Sequence, residues 1–293
     1  MASLSDATLM DADLTCNMDV TQTSSSTEVA KEAMDKSGSN SDPPVQIASS
    51  RLHLNSATMN GLDAAMRKHE IATNEKINLC KLKDFEIVFI CDDSGSMNTM
   101  LMNCQQTRWN RLREFVRIVA EFGTILDSNG VDVCFLNRPD FYKITDPRQI
   151  EPLFNEPPSG YTPLTKVLRK VLKMPAARRG FDKKLLIFIC TDGEPTDDDG
   201  ESDLQQFAHV MRSERQSETT HVMFLICTDE PFAVNYLKEW DQTMENVDIT
   251  DIFEIERSNA MLKYGNNFRF SKADYIMKLL LGAIDPKFDE IND

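Results

Sequence analysis

Four short runs of Val, Ile, Leu and Phe, each closing on polar residues, limit what this chain can fold into more than any other feature. They are FEIVFIC (85–91), VDVCFLN (131–137), KLLIFICTD (184–192) and HVMFLICTD (221–229). Near-continuous apolar runs of this length fit strands buried on both faces, as in a parallel sheet. Helical patterns lie between them. Residues 107–126 place Trp109, Leu112, Phe115, Val116, Val119, Phe122 and Leu126 at spacings of three and four, one apolar stripe of a helix. Residues 164–172, 203–215, 232–244 and 273–281 read as further helices, the second with Leu204, Phe207, Val210 and Met211 facing inward. Strands alternating with helices imply right-handed crossovers. The expected fold is α/β: a doubly wound, mostly parallel sheet with helices on both faces. Residues 140–155 are less regular and read as an edge strand with a short helix at 150–154. Residues 249–255 fit either a last strand or part of a helix.

Composition divides the chain. Residues 1–58 are rich in Ser, Thr, Asp and Asn, as in TQTSSSTEVA and SGSNSDPP. Such a segment buries too little surface to offset its ordering entropy, and reads as a disordered acidic tail. Residues 59–83 read as a short helical lead-in, 84–285 as the domain and 286–293 as an acidic C-terminal tail. The formal net charge of −15 argues against a nucleic-acid backbone or an anionic membrane as partner, and favours cations or basic groups. The apolar runs fall well short of the roughly 18 residues that a membrane span needs. The first residues lack the basic end and apolar stretch of a secretory signal, and no Asn-x-Ser/Thr acceptor occurs. The seven cysteines have no metal-type spacing, and Cys91, Cys134, Cys190 and Cys227 sit in or at the end of apolar runs. They read as core thiols in a reducing compartment, so the expected location is cytoplasmic. The four histidines are scattered and suggest no ligand set.

In open α/β sheets, ligands sit beyond the carboxyl ends of the strands. Three segments fall there. Asp92-Asp93-Ser94-Gly95-Ser96 follows the first strand directly, offering carboxylate and hydroxyl oxygens at alternating positions, with Gly95 permitting the bend. Gly160-Tyr161-Thr162-Pro163-Leu164 opens a helix, and Thr191-Asp192-Gly193-Glu194-Pro195-Thr196-Asp197 follows the third apolar run. Asp192 would stand beside Asp92 if their strands are neighbours. An all-oxygen set of this kind suits hard cations: Mg²⁺, Mn²⁺ or Ca²⁺.

Blander roles compete. The Asp92 loop could be a polar turn that caps the next helix, Asp192 a strand-end turn residue, and Thr162 a cap for a helix starting at Pro163. Asp93, between two proposed ligands, is expected to point away from the ion, solvated or hydrogen-bonded to backbone. The acidic run 197–203 reads as a solvated loop and helix cap, because Pro195 stands where a calcium loop needs an acid. Met97, Met100 and Met102 are core filler or a partly exposed partner surface, the latter being the expectation. As a nucleophile, Ser94 or Ser96 lacks a histidine partner and the Gly-x-Ser-x-Gly elbow. Asp92 as a phosphatase nucleophile lacks the usual second acid, since Ser94 occupies that position. Neither a Walker lysine nor a Gly-x-Gly-x-x-Gly loop is present.

Asp92-x-Ser94-x-Ser96, Thr162 and Asp192, with the preceding strand and the TDGEPTD context, resemble the metal-ion-dependent adhesion site of von Willebrand factor A domains. The resemblance covers roughly residues 85–281 and is nearest to stand-alone cytosolic members. It implies a parallel-dominated sheet with one antiparallel edge strand, and ion-mediated binding without catalysis. By that resemblance Ser94, Ser96 and Thr162 contact the ion through hydroxyls, Asp92 and Asp192 directly or through water. The implied ion is Mg²⁺, with Mn²⁺ or Ca²⁺ as alternatives. A partner protein's acidic residue would complete its coordination. The rivals are a Mg²⁺-dependent phosphohydrolase using Asp92, and a scaffold whose metal is purely structural.

Overall fold

The structure is a computed structural model describing residues 54–102 and 105–289. Most of the stretch read as a disordered tail lies outside the described residues. Its last residues do not: helix α1 (Ser56–Lys68) already begins there, capped by the Asn55 side chain, which accepts from Thr58 N at 2.8 Å. Leu62, Ala65 and Met66 of α1 are buried in the core. The stretch read as a C-terminal tail starts with a helical turn (Pro286–Asp289) whose Phe288 is buried.

Six strands, β1 (Phe85–Cys91), β2 (Val131–Phe135), β3 (Phe141–Ile144), β4 (Lys184–Thr191), β5 (Thr220–Ile226) and β6 (Val247–Thr250), form one sheet in the order β3-β2-β1-β4-β5-β6. All neighbours are parallel except β3, which runs antiparallel along β2 at the edge, as expected. Six longer helices follow α1: α2 (Arg108–Leu126), α3 (Leu164–Val171), α4 (Leu204–His209), α5 (Asn235–Thr243), α6 (Phe253–Tyr264) and α7 (Lys272–Leu281). The ambiguous residues 249–255 are divided: the strand stops at Thr250 and the helix begins at Phe253.

The apolar runs are continuous because each strand feeds two cores. Phe89 of β1 and Phe188 of β4 stack at 5.2 Å on the face covered by α1, α2 and α7. Val88, Ile90, Ile187 and Ile189 enter the opposite core with α3, α4 and α5. All seven apolar residues anticipated for α2 are buried, each contributing about 1.5–3 kcal/mol for the larger aliphatic and aromatic side chains. The Thr107 side chain caps α2 by accepting from Asn110 N at 3.2 Å, which sets Arg108 as its first residue. Among the described residues, no helix is long and apolar enough to cross a membrane.

The strand order reverses between β1 and β4. Outward from that line the chain adds strands in both directions, leaving a crevice at the carboxyl ends of these two strands.

Candidate functional site

The site grows out of the β1–β4 register. Cys91 pairs with Cys190, and the ladder continues one step further, Asp92 N donating to Cys190 O at 2.9 Å. Asp92 and Asp192 therefore leave adjacent strands side by side, 0% and 2% exposed. The loop then turns on Asp92 itself: its Oδ1 accepts from Ser94 N at 2.9 Å. Its Oδ2 accepts from the Thr191 hydroxyl at 2.8 Å.

A chain of hydrogen bonds crosses from one loop to the other. Ser94 Oγ lies 3.0 Å from Ser96 Oγ, and Ser96 Oγ donates to Asp192 Oδ1 at 2.9 Å. The Ser94 hydroxyl also serves Asp92, whose carboxyl it helps to hold in the charged form. The other Asp192 oxygen accepts from Arg108 Nη1 at 2.8 Å, and Arg108 Nη2 lies 2.8 Å from Glu230 Oε1. Four of the five anticipated oxygen donors are thus joined in one network.

Thr162 reaches the same edge through its main chain. Gly95 N donates to Gly160 O at 3.1 Å and Ser159 N to Asp93 O at 2.7 Å. Thr162 N donates to the Thr196 hydroxyl, and Thr196 N returns to Thr162 O, both at 2.9 Å. Gly160 adopts φ +103°, and a Cβ there would meet the Asn137 amide at 2.5 Å. Glycine is required at position 160. Gly95, read as permitting the bend, is absent from the positive-φ glycines, and a Cβ there would find Gly160 O at 3.9 Å.

The capping roles do not hold. α2 is capped by Thr107, and the 3-10 turn after Ser94 (Gly95–Asn98) has no side-chain cap bond. α3 has Pro163 at its cap position with no side-chain bond, so Thr162 does not serve there. Asp203 makes no cap bond to α4; instead Asp197 Oδ1 closes its own loop, accepting from Asp199 N and Glu201 N at 2.9 Å. Asp93 is not solvated. It is 3% exposed, accepts from Asn137 N at 2.9 Å and pairs with Arg138 Nε at 3.2 Å. Its hydrogen bond to backbone was anticipated, the arginine was not. Met97 is fully buried core, whereas Met100 and Met102 are exposed.

Arg108 is the functional residue the sequence pattern did not mark. At the head of a helix it looks like a solvated charge, yet it is 5% exposed and ties Asp192 to Glu230. The signal was electrostatic: a cation is unfavourable at a helix N-terminus, and the first turn of α2 carries no acid. An arginine retained there needs an external carboxylate.

Burial first, and the neighbouring Asp192 second, push the Asp92 carboxyl up to about 7. The hydrogen bonds to Asp92 come from neutral donors of Ser94 and Thr191, while Asp192 has a guanidinium. Two buried carboxylates lie side by side and only Asp192 is paired with a cation, Arg108, an arrangement whose charge a divalent ion would offset. Among the described residues, no group of three or more His, Cys, Asp or Glu side chains is placed to hold a metal. The donor set here is of another kind, two carboxylates with hydroxyls, which suits an ion that keeps waters and takes few charged ligands, as Mg²⁺ does. Asp92, Ser94, Ser96 and Asp192 supply a donor set of that chemistry, and Thr162 is brought to the same edge by its main chain. Compared with protein-family models and with curated proteins, the chain matches none.

Proposed function

We propose that this chain is a von Willebrand factor A-type module that binds a partner protein through a divalent ion, Mg²⁺ with Mn²⁺ or Ca²⁺ as alternatives. The observation that carries this is the Ser94–Ser96–Asp192 hydrogen-bond chain beside the buried Asp92, at the point where the strand order reverses. Asp92, Ser94, Ser96, Thr162 and Asp192 would hold the ion. When bound, the ion supplies a Lewis-acidic position that a partner's carboxylate can occupy. Asp92 and Asp192 supply the negative charge that retains it, and Arg108 orients Asp192 so that Oδ1 faces Ser96.

Binding is favoured over phosphoryl transfer because Ser94 stands two residues after Asp92, where an aspartyl phosphatase carries its second acid. The net charge of −15 disfavours nucleic acid and anionic membrane as partners. A cytoplasmic setting is supported by five buried free cysteines, Cys80, Cys91, Cys134, Cys190 and Cys227.

The test is denaturation with and without Mg²⁺, paired with capture of partners from cell extract. At a hundredfold excess over Kd, Mg²⁺ is expected to stabilise the wild type by about 2.7 kcal/mol. It should stabilise Ser96→Ala and Asp192→Asn little, although both fold. Partner capture should vanish in EDTA. Capture undiminished by chelator would overturn the proposal.

A further inference from the structure

Large apolar side chains held in water are unfavourable, so a concentration of them at one place marks an interaction surface. Among the described residues nine large hydrophobic side chains are exposed. Four of them, Met100 (54%), Met102 (79%), Tyr161 (55%) and Phe232 (85%), belong to the loops that surround Asp92 and Asp192.

The backbones that carry them are pinned. Met100 bridges Thr107 in antiparallel fashion, flanked by Arg108 N donating to Thr99 O and Leu101 N to Gln106 O, both at 2.9 Å. Met102 N donates to Asp229 Oδ2 at 2.5 Å, tying this segment to the loop after β5. In that loop Glu230 is held by Arg108, and Phe232 follows two residues later. On the other side of the site Tyr161 precedes Thr162, and its main-chain oxygen accepts from Asn137 Nδ2 at 2.9 Å. Its ring lies so close to Gly200 that a Cβ there would meet it at 2.6 Å. The Met100 segment is thus tied to Arg108, which also holds Asp192, while Met102 and Tyr161 are tied to Asp229 and Asn137.

We infer that Met100, Met102, Tyr161 and Phe232 form an apolar rim around the proposed ion. The partner that fits is a protein segment with one carboxylate side chain flanked on both sides by apolar residues. This rests on the metal-dependent function proposed above. The charge argument favours such a segment over a polyacidic one. The ion attracts a single carboxylate, while further acids on the partner meet a chain whose formal net charge is −15. Affinity beyond one ionic contact then has to come from apolar burial, and methionine and aromatic side chains supply adaptable area for it.

The experiment uses the full chain and short synthetic peptides with one central Glu. One peptide has Leu and Phe on either side, one has Ser and Gly, and a third has the apolar flanks with Gln in place of Glu. Binding is followed by fluorescence anisotropy in Mg²⁺ and in EDTA. In Mg²⁺ the apolar-flanked Glu peptide is expected to bind about tenfold more tightly than the Ser/Gly one. The Gln peptide should bind weakly. The double variant Met102→Ser, Phe232→Ser should lose that advantage and keep the wild-type Mg²⁺ shift in Tm. Equal affinity for both Glu peptides, an unchanged double variant, or no binding of the apolar-flanked peptide overturns the rim while the Mg²⁺ shift stands. Absence of any Mg²⁺ shift in the wild type removes the metal site itself, and the rim with it.

Discussion

The two ends of the central sheet each bury an ionisable side chain, and they hold it in opposite ways. At the amino end, His221 of β5 is 4% exposed, with its ring 4.9 Å from Phe85 in edge contact. Its Nδ1 lies 2.6 Å from Ala283 O, and Lys184 Nζ lies 3.5 Å from Nε2. The carbonyl can only accept, so Nδ1 carries the proton and Nε2 faces the lysine as an acceptor. Burial pushes the imidazole down to about 4, and the ring stays neutral with its hydrogen bonds met inside the protein. At the carboxyl end, burial and Asp192 push Asp92 up to about 7. Here two acids are buried side by side, and one arginine pairs with Asp192. The first arrangement is complete as folded. On the function proposed above, the second would be improved by an added cation, and that difference would separate a structural group from a site.

The largest expected effect is at Arg108. Arg108→Met strips Asp192 of its guanidinium and leaves it buried against Asp92. Urea denaturation in EDTA should show a loss of about 3–5 kcal/mol. In Mg²⁺ part of that loss should return, because the ion replaces the missing charge. An equal loss in both conditions would mean that the carboxyl end is as self-sufficient as the amino end.

The next effect is at His221. The unfolded imidazole takes its proton near 6.5 and the folded one only near 4. Acid therefore favours the unfolded chain, and stability should fall as pH drops from about 6.5 toward 4, by up to about 3 kcal/mol. His221→Gln should flatten that limb, and the difference between the two pH profiles isolates this residue from the carboxylates that titrate nearby in pH.

The smallest effect runs the other way. With its folded value raised, Asp92 favours the metal-free fold while protonated, and that contribution is lost as pH rises through about 7. A cation binds the deprotonated form. The stabilisation given by a fixed Mg²⁺ concentration should then shrink by about 1.4 kcal/mol per pH unit below 7. Asp92→Asn should remove both this slope and the Mg²⁺ gain. A Mg²⁺ gain independent of pH would place the ion away from Asp92.

What was legible in the sequence follows from how burial writes itself. Strands buried on both faces appear as unbroken apolar runs, so β1, β2, β4 and β5 stood out, and every large apolar residue expected on the stripe of α2 is buried, together with Arg108, Ala120 and Gly123. The edges were harder. β6 and α6 both lie within an indistinct stretch because a four-residue strand leaves too short a pattern for periodicity to separate from a helix. Loop conformation was harder still. Gly95 and Gly160 look alike in sequence, but only Gly160 has positive φ, and only there does a neighbouring side chain, Asn137, leave no room for a Cβ. Met97, Met100 and Met102 are also alike in sequence, and packing sends the first into the core and the others into water.

The sequence by itself determined the oxygen donors and the strands that carry them. It placed Asp92 and Asp192 directly after apolar runs, which commits them to the sheet edge. Only the tertiary structure decided that β1 and β4 are neighbours. That pairing brings Ser96 to within 2.9 Å of Asp192 across 96 residues of chain, and admits Arg108 to the same crevice. Local pattern encodes how deeply a residue is buried. Which residue it meets there is set by the crossover connections and by the helices that pack over them.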